Sequence, residues 1–219
     1  MDTHGLVPGQ QLAAQLTSAF SGAPGAGDRP WLWQPLLRLL ARGEPVAACQ
    51  LAGATGRSAD QVRQALAALP DTEYDSLGRV VGSGITLNPT PHHFEVGGLQ
   101  LYTWCALDTL IFPAVLGKPA RVISPCHTTG TPVRLTVEPD KVTGVQPATA
   151  VLSIVTPDDV TSIRSAFCGQ VHFFATPHAA RPWLDQHPGA TVLPVHDAYQ
   201  LGRPLTRALL GDDHPSCCC

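Results

Sequence analysis

The residue types best suited to chemistry lie in the segment 104–108, which reads WCALD. If this segment is helical, Cys105 and Asp108 share one face, with about 5–6 Å between their Cβ atoms. A proton can then pass between the thiol and the carboxyl directly or through one water. Since the neighbouring residues are apolar, desolvation would raise the pKa of a buried Asp108 and make it a proton donor near neutral pH. The spacing leaves a second interpretation open, in which Cys105 is a core hydrophobe and Asp108 lies at the surface or caps a helix.

The chain has seven cysteines, and the others differ in their surroundings. Cys168 lies beside Gly169 at a predicted helix-to-strand junction, which favours exposure of its thiol. Cys126 lies at a predicted strand end, and Cys49 lies on a short predicted helix, where we expect a core position. The remaining three end the chain: Cys217, Cys218 and Cys219. An odd number of thiols argues against a disulfide framework and leaves thiol chemistry, metal binding or core packing.

Other motifs with a defined chemistry are missing from the sequence. It contains no CxxC or HxxxH pair, so a structural zinc site has little support. It also contains no Gly-rich phosphate loop and no G-x-S-x-G elbow. We expect His172 to be a hydrogen-bonded structural histidine, with metal ligation as the alternative.

Composition excludes several classes of partner. Of the 219 residues 14% are charged, well below the usual quarter, and the formal net charge is −3. Such a chain has no global basic field to hold nucleic acid or an anionic membrane. No apolar run approaches the roughly 20 residues of a membrane span, and the N-terminal residues lack a signal-peptide pattern. We therefore expect a cytoplasmic protein with reduced thiols.

The N-terminal third predicts a helical unit that resembles a winged helix-turn-helix. A helix over 10–20 and a breaker-rich linker fill residues 1–30. Residues 31–87 then predict helices over 31–42, 46–51 and 59–69, with Ser58 as an N-cap, and a hairpin that turns at 75–78. Gly53 is expected to end the second of these helices. The pattern of three helices and a hairpin is typical of winged helix-turn-helix proteins.

Charge argues against DNA binding by this unit. Residues 31–85 carry five arginines and five acidic residues, so their net charge is zero. A neutral surface does not neutralise the phosphates that dominate DNA affinity. We therefore expect a packing or lid module.

Residues 88–210 predict an α+β core whose strands are mainly antiparallel. Gly97 and Gly98 mark a hairpin, and a helix is expected over 104–116. Strands are expected over 120–124, 133–137, 150–155 and 171–175, and helices from 156 to about 167, over 178–186 and over 196–210. Residues 211–219 form a tail without periodicity, which we expect to be mobile.

Two blocks of the core resemble the alkylmercury (organomercurial) lyases. They are LQLYTWCALDTLIFPAVLGKPARV at 99–122 and SAFCGQVHFFA at 165–175. The resemblance extends over roughly residues 30–210. It implies that Cys105, Asp108 and Cys168 are the catalytic set and that Cys126 is structural. Some relatives have a second cysteine where this chain has Gly169, so a helper role for that thiol is absent here.

The resemblance implies protonolysis of a carbon–mercury bond, with two thiolates on mercury and Asp108 as the proton shuttle. Thiolates are soft ligands that select soft cations. No cofactor is expected, but external thiols are needed to release Hg(II) to small thiols or a mercuric reductase. The terminal cysteines lie outside the family pattern, and they form either a mercury relay or an inert tail. A metal- or thiol-sensing winged-helix regulator is the alternative function.

Overall fold

The computed structural model describes residues 8–22, 29–69, 71–157 and 161–210. Its first four helices are α1 (Pro8–Ser21), α2 (Arg29–Leu40), α3 (Ala48–Thr55) and α4 (Ala59–Ala67). Helix α4 begins after Ser58, whose hydroxyl accepts a hydrogen bond from the Gln61 N–H. The Gln61 side chain accepts from the Ser58 N–H in return, at 3.0 Å. The predicted cap is therefore confirmed.

Helix α3 lies later in the chain than the sequence predicts. It continues through Gly53 and ends at Gly56, whose φ of 67° is the left-handed conformation that glycine adopts without strain. Val46, predicted to be helical, instead pairs with Val80 in an isolated bridge. The predicted end at Gly53 is wrong, because Gly53 lies inside the helix and Gly56 ends it.

The strands form one large and one small antiparallel sheet. The large sheet has the order β1-β2-β3-β5-β4-β6-β7-β8, and the small one has the order β10-β9-β11. The strands are β1 (Glu73–Tyr74), β2 (Val80–Ser83), β3 (Ile85–Thr86), β4 (His92–Val96), β5 (Leu99–Thr103), β6 (Ala120–Pro125), β7 (Pro132–Val137), β8 (Val142–Gln146), β9 (Val151–Ile154), β10 (Phe173–Phe174) and β11 (Thr191–Pro194). The later helices are α5 (Ala106–Leu116), α6 (Ile163–Ala166), α7 (Pro177–Leu184) and α8 (Val195–Leu210).

The hairpin of the N-terminal unit extends the sheet of the core. β1 and β2 pair around the predicted turn, and β3 pairs with β5 of the next predicted hairpin. The fold class is confirmed: a helical unit precedes an α+β core with antiparallel strands. The domain boundaries at residues 30, 87 and 210 remain predictions.

Helix α5 lies at the centre of the molecule. Ten of its eleven residues are buried. A helix that is apolar all round is typical of a fully enclosed position. It packs against α2, α8 and the large sheet within the main core. No helix among the described residues is long and apolar enough to cross a membrane.

The segment before Cys168 differs most from its prediction. The helix expected from residue 156 is absent at 156–157, and residues 158–160 lie outside the described ones. A short helix, α6, begins after Ser162, and a 3₁₀ turn over Cys168–Gln170 follows it. The expected strand over 171–175 is reduced to β10, and strands β8 and β11 were not predicted. The tail with its three cysteines lies outside the described residues.

Candidate active site

The structure brings together the three residues that the sequence selects. The Sγ atoms of Cys105 and Cys168 and a carboxylate oxygen of Asp108 all lie within 4.8 Å of one another. Within the described part of the chain, no other group of three or more His, Cys, Asp or Glu side chains is arranged in this way. All three are enclosed, with exposed fractions of 0% for Cys105, 8% for Asp108 and 4% for Cys168.

The first turn of α5 fixes Cys105 relative to Asp108. The helix begins one residue after Cys105, so Cys105 is the N-cap rather than a helical residue as predicted. The carboxylate of Asp108 folds back and accepts a hydrogen bond from the Cys105 N–H at 3.1 Å. The two interpretations that the spacing left open are therefore combined, since Asp108 caps the helix and is also a buried neighbour of the thiol. A surface position for Asp108 is wrong.

A backbone hydrogen bond ties this turn to the segment of the second thiol. The Ala106 N–H donates to the Val171 carbonyl at 3.1 Å. Cys168 was expected to be exposed beside its glycine, but it is buried. Phe167 precedes it, and Phe20 of α1 packs edge-on against Phe167 with ring centroids 5.0 Å apart. The exposure prediction is wrong because Phe167 and Cys168 both lie in the main core, which is built from segments that are distant in the sequence.

Burial sets the protonation of the three groups. It raises the pKa of Asp108 to about 7, although hydrogen bonds from the Cys105 thiol and the Cys105 and Trp104 N–H groups oppose the shift. Burial, the hydrogen bond with Cys168 and the Asp108 charge raise the pKa of Cys105 well above its usual value. The hydrogen bond from Cys105 lowers the pKa of Cys168, but burial and the Asp108 charge outweigh it and the net shift is upward. Near neutral pH both thiols therefore keep their protons, and Asp108 can exist as the acid or as the carboxylate.

The other described cysteines lie apart from this cluster. Cys49 is exposed, so its predicted core position is wrong: it lies in the first turn of α3, and Leu51 takes the buried position. Cys126 is buried in a smaller apolar cluster with Phe174 and Trp183. Burial acts to raise the pKa of Cys126, but hydrogen bonds from residues 128, 129 and 175 lower it to about 7. A structural role for Cys126 remains a prediction.

His172 is a half-buried ring outside the cluster. It stacks on His127 with ring centroids 4.0 Å apart. Burial and the charge of His127 lower the pKa of His172 to about 4, although a hydrogen bond to the Gly169 backbone opposes this. The ring is therefore neutral at pH 7. A structural role for His172 remains a prediction.

A polar network that sequence reasoning missed lies beside the thiols. Glu73 on β1 accepts a hydrogen bond from the Trp104 indole N–H at 3.2 Å and forms an ion pair with Arg164 of α6. The Arg164 guanidinium lies over the Trp104 ring, 4.8 Å from its centroid. These residues are distant in sequence and share no motif, so only the fold reveals them.

A cavity lies between α5 and α8, and the thiols do not line it. Its volume is about 180 Å³, and it is lined by Leu110, Ala114, Pro139, Tyr199, Gly202, Arg203, Thr206 and Arg207. None of the three clustered residues lines it. The acid and the thiols therefore do not open to this cavity.

Comparison with known families identifies both halves of the chain. Residues 85–207 match the family described as alkylmercury lyase, and residues 11–84 match the helix-turn-helix domain of alkylmercury lyase. An alkylmercury lyase of Streptomyces lividans is 72% identical over 210 residues, which cover 95% of this chain and 98% of the relative. One of Staphylococcus epidermidis is 54% identical and covers 95% and 97% of the two chains.

A solved structure has the same fold. It is the mercury-bound form of MerB2, which is 24% identical to this chain and superposes with a TM-score of 0.74. The match covers 91% of this chain and 99% of the solved one. At this identity the likeness supports the fold.

Proposed function

The chain belongs to the alkylmercury lyase family, and we propose that it cleaves the carbon–mercury bond of organomercurials by protonolysis. One observation carries the proposal: two thiols and an acid of raised pKa meet in a buried site. Two soft ligands suit mercury, and a carboxylic acid suits the protonation of carbon. Cys105 and Cys168 are the proposed mercury ligands, and Asp108 is the proposed acid.

Capture of the substrate begins with a proton transfer inside the cluster. The Asp108 carboxylate accepts a proton from the Cys105 or Cys168 thiol, and the resulting thiolate displaces the anionic ligand X⁻ from R–Hg–X. A sulfur–mercury bond forms and a mercury–X bond breaks. The second thiol then binds mercury and passes its proton to the released X⁻, which is a thiolate when small thiols are in excess. Both sulfurs now donate electrons to the metal.

Cleavage returns the first proton to carbon. Electron donation from two sulfurs polarises the mercury–carbon bond towards carbon, which takes the bonding pair. The Asp108 carboxylic acid gives its proton to that carbon, R–H leaves, and Hg(II) remains on the two thiolates. Asp108 is again a carboxylate, so the atoms and charges balance. The apolar surroundings of the cluster keep water, a weaker acid, away from this step.

Release of the product requires thiols from outside the site. Small thiols exchange with Cys105 and Cys168 and take Hg(II), or pass it to a mercuric reductase. No cofactor is needed, since the reaction involves no net oxidation. Cys217, Cys218 and Cys219 are a candidate relay in this exchange.

The family assignment favours this enzyme over a sensing regulator. Helix α4, in the position of a recognition helix, pairs its Arg63 with its own Asp60, both on the surface. That leaves little free charge for phosphates. No described feature favours the regulator.

Release of benzene from phenylmercury, with excess small thiol, tests the roles of Asp108 and Cys168. We expect Asp108→Asn and Cys168→Ser each to reduce turnover by about 100-fold or more, since the first removes the proton donor and the second removes one sulfur. The matched control is Cys49→Ser, an exposed thiol outside the cluster, which should leave turnover unchanged. Full benzene release by Asp108→Asn would refute the proton-donor role, and full release by Cys168→Ser would remove that sulfur from the mechanism.

A further inference from the structure

The Glu73 carboxylate contacts both chain segments that carry the thiols. Its Oε1 atom accepts from the indole of Trp104, which immediately precedes Cys105, and forms the ion pair with Arg164. Arg164 lies on α6, the short helix that leads into Cys168. Glu73 itself belongs to the N-terminal unit, so a single side chain joins three separate parts of the sequence.

The second carboxylate oxygen is also fully engaged. Oε2 accepts from the Thr86 hydroxyl and from the Asn88 amide, the latter at 3.0 Å. Gly82, which pairs with Glu73 across the hairpin, leaves the space that the carboxylate occupies, since a Cβ there would overlap Oε2. The Glu73 side chain is only 12% exposed. A charge this enclosed needs such partners, and they hold it in one position.

A second acidic residue of the same segment anchors the start of α6. Asp71 accepts from the Ser162 hydroxyl at 2.7 Å and from the Arg164 N–H at 3.1 Å. The segment 71–73 therefore holds α6 in two ways. Asp71 binds the backbone of α6, and Glu73 binds the side chain of Arg164. Because only Phe167 lies between α6 and Cys168, a shift of α6 moves the second thiol.

We propose that Glu73 is a positioning residue that sets the separation of Cys105 and Cys168, and so allows both sulfurs to bind one mercury. The inference rests on the proposed function, because it concerns the same two thiols. Metal ligands on separate segments converge only if their supports are fixed, and loss of outer partners costs about 10- to 100-fold in affinity or activity. It also assigns a task to the helix-turn-helix unit, whose hairpin carries Glu73.

The test compares Glu73→Gln with Asp75→Asn in the same hairpin. Asp75 is also acidic, 20% exposed and paired with an arginine, but its partner Arg79 lies within its own turn. Both changes are made in full-length chains in which the exposed Cys49 and the three terminal cysteines are replaced by serine. Hg(II) affinity is measured by titrating mercuric chloride against competing glutathione, and kcat and KM are measured with phenylmercury. Thermal unfolding reports on stability.

We expect Glu73→Gln to lower Hg(II) affinity and kcat by about 10- to 100-fold, and Asp75→Asn to leave both within about twofold. A purely structural role for Glu73 would lower the melting temperature and leave the affinity of the folded protein unchanged, and that result would overturn the proposal. If Glu73→Gln does not fold, Glu73→Asp, which is one methylene too short to reach both partners, should show the same losses.

The outcomes separate this proposal from the proposed function. If the parent chain releases benzene and Glu73→Gln matches it in kcat and Hg(II) affinity, the positioning role is wrong and the lyase reaction stands. If the parent chain releases no benzene but Glu73→Gln still weakens Hg(II) binding, protonolysis fails and the positioning role stands.

Discussion

Asp108 has two tasks that usually exclude one another. As a cap it accepts the Cys105 N–H, which favours the carboxylate, whereas its burial favours the acid. Burial prevails, and the pKa of Asp108 of about 7 lets the group both take and give a proton near neutral pH. The cap keeps the carboxyl beside the thiol in either state.

This arrangement lowers the stability of the fold as the pH rises above about 4. The pKa of Asp108 is about 7 when folded and about 3.8 when unfolded. Below pH 3.8 both states keep the proton. Between pH 3.8 and 7 the unfolded state loses it first, so stability falls as pH rises, and above pH 7 the deficit is constant. At 1.36 kcal/mol per pKa unit the deficit reaches about 4 kcal/mol.

Asp108→Asn should therefore stabilise the protein while it reduces turnover by about 100-fold or more. An amide still accepts the Cys105 N–H but carries no charge to desolvate. Urea unfolding should give similar free energies for the two proteins at pH 4 and a gain of up to about 4 kcal/mol for the variant at pH 8. A variant less stable than the parent at pH 8 would contradict the raised pKa of Asp108.

At the scale of elements, the sequence predicts correctly those features that hydrogen bonds between neighbouring residues determine. Ser58 caps α4 as its sequence indicates, and the glycine pair at 97–98 forms its hairpin. The predicted helix bounds are wrong where residues that are distant in the sequence determine the structure. Gly53 lies inside α3, and α6 is confined to one turn whose start is bonded to Asp71.

The same distinction between local and distant contacts holds for the candidate active site. The pairing of Cys105 with Asp108 was visible in their spacing, because one helical turn connects them. That Cys168 joins them was implied by the resemblance, since no local signal connects it to Cys105 across 63 residues. Burial of Cys168 and the role of Glu73 depend on chain segments that meet only in the fold.

Gly84 links the hairpin of the N-terminal unit to α5. Its φ is 92°, and a Cβ there would lie 2.6 Å from the Phe112 ring of α5. Its carbonyl also accepts the Trp104 N–H at 3.0 Å, directly before Cys105. The close approach and the positive φ both require glycine.

Gly84→Ala should destabilise the protein and reduce turnover together. Strain from the positive φ and from overpacking against Phe112 should cost on the order of 3 kcal/mol. Gly97→Ala is the matched control, because Gly97 has a φ of 60° but nothing within 4 Å of its Cβ position. It should cost about 1 kcal/mol, with turnover unchanged. Equal losses in the two variants, measured by urea unfolding and benzene release, would mean that Phe112 yields to the new methyl group.

At the scale of the whole molecule, the N-terminal unit completes the core. Trp33 of α2 packs edge-on against Phe112, with ring centroids 5.7 Å apart, and donates its indole N–H to the Ser83 carbonyl at 3.0 Å. The hairpin of the N-terminal unit continues the large sheet. These contacts agree with the packing role expected for this unit from its neutral charge.

An enclosed site must open before an organomercurial reaches it, and α1 packs against Phe167, the residue that precedes Cys168. Phe20 contacts Phe167 beside Cys168, and α1 otherwise packs mainly on α8. An edge-on aromatic pair is worth about 0.5–1.5 kcal/mol, so its loss should make opening roughly two- to tenfold more frequent. We therefore expect Phe20→Ala to raise the rate at which iodoacetamide alkylates Cys168 by that factor.

The measurement is mass spectrometry of the Cys168 peptide, well below the melting temperature and with Cys49 and the terminal cysteines replaced by serine. Gln11→Ala, an exposed change on the same helix, is the control and should leave the rate unchanged. If Phe20→Ala alkylates Cys168 no faster than the control, α1 does not govern access and the site opens elsewhere. If Phe20→Ala raises the alkylation rate of Cys168 and benzene release per enzyme is maintained, the contact between α1 and Phe167 lies at the entrance to the thiols.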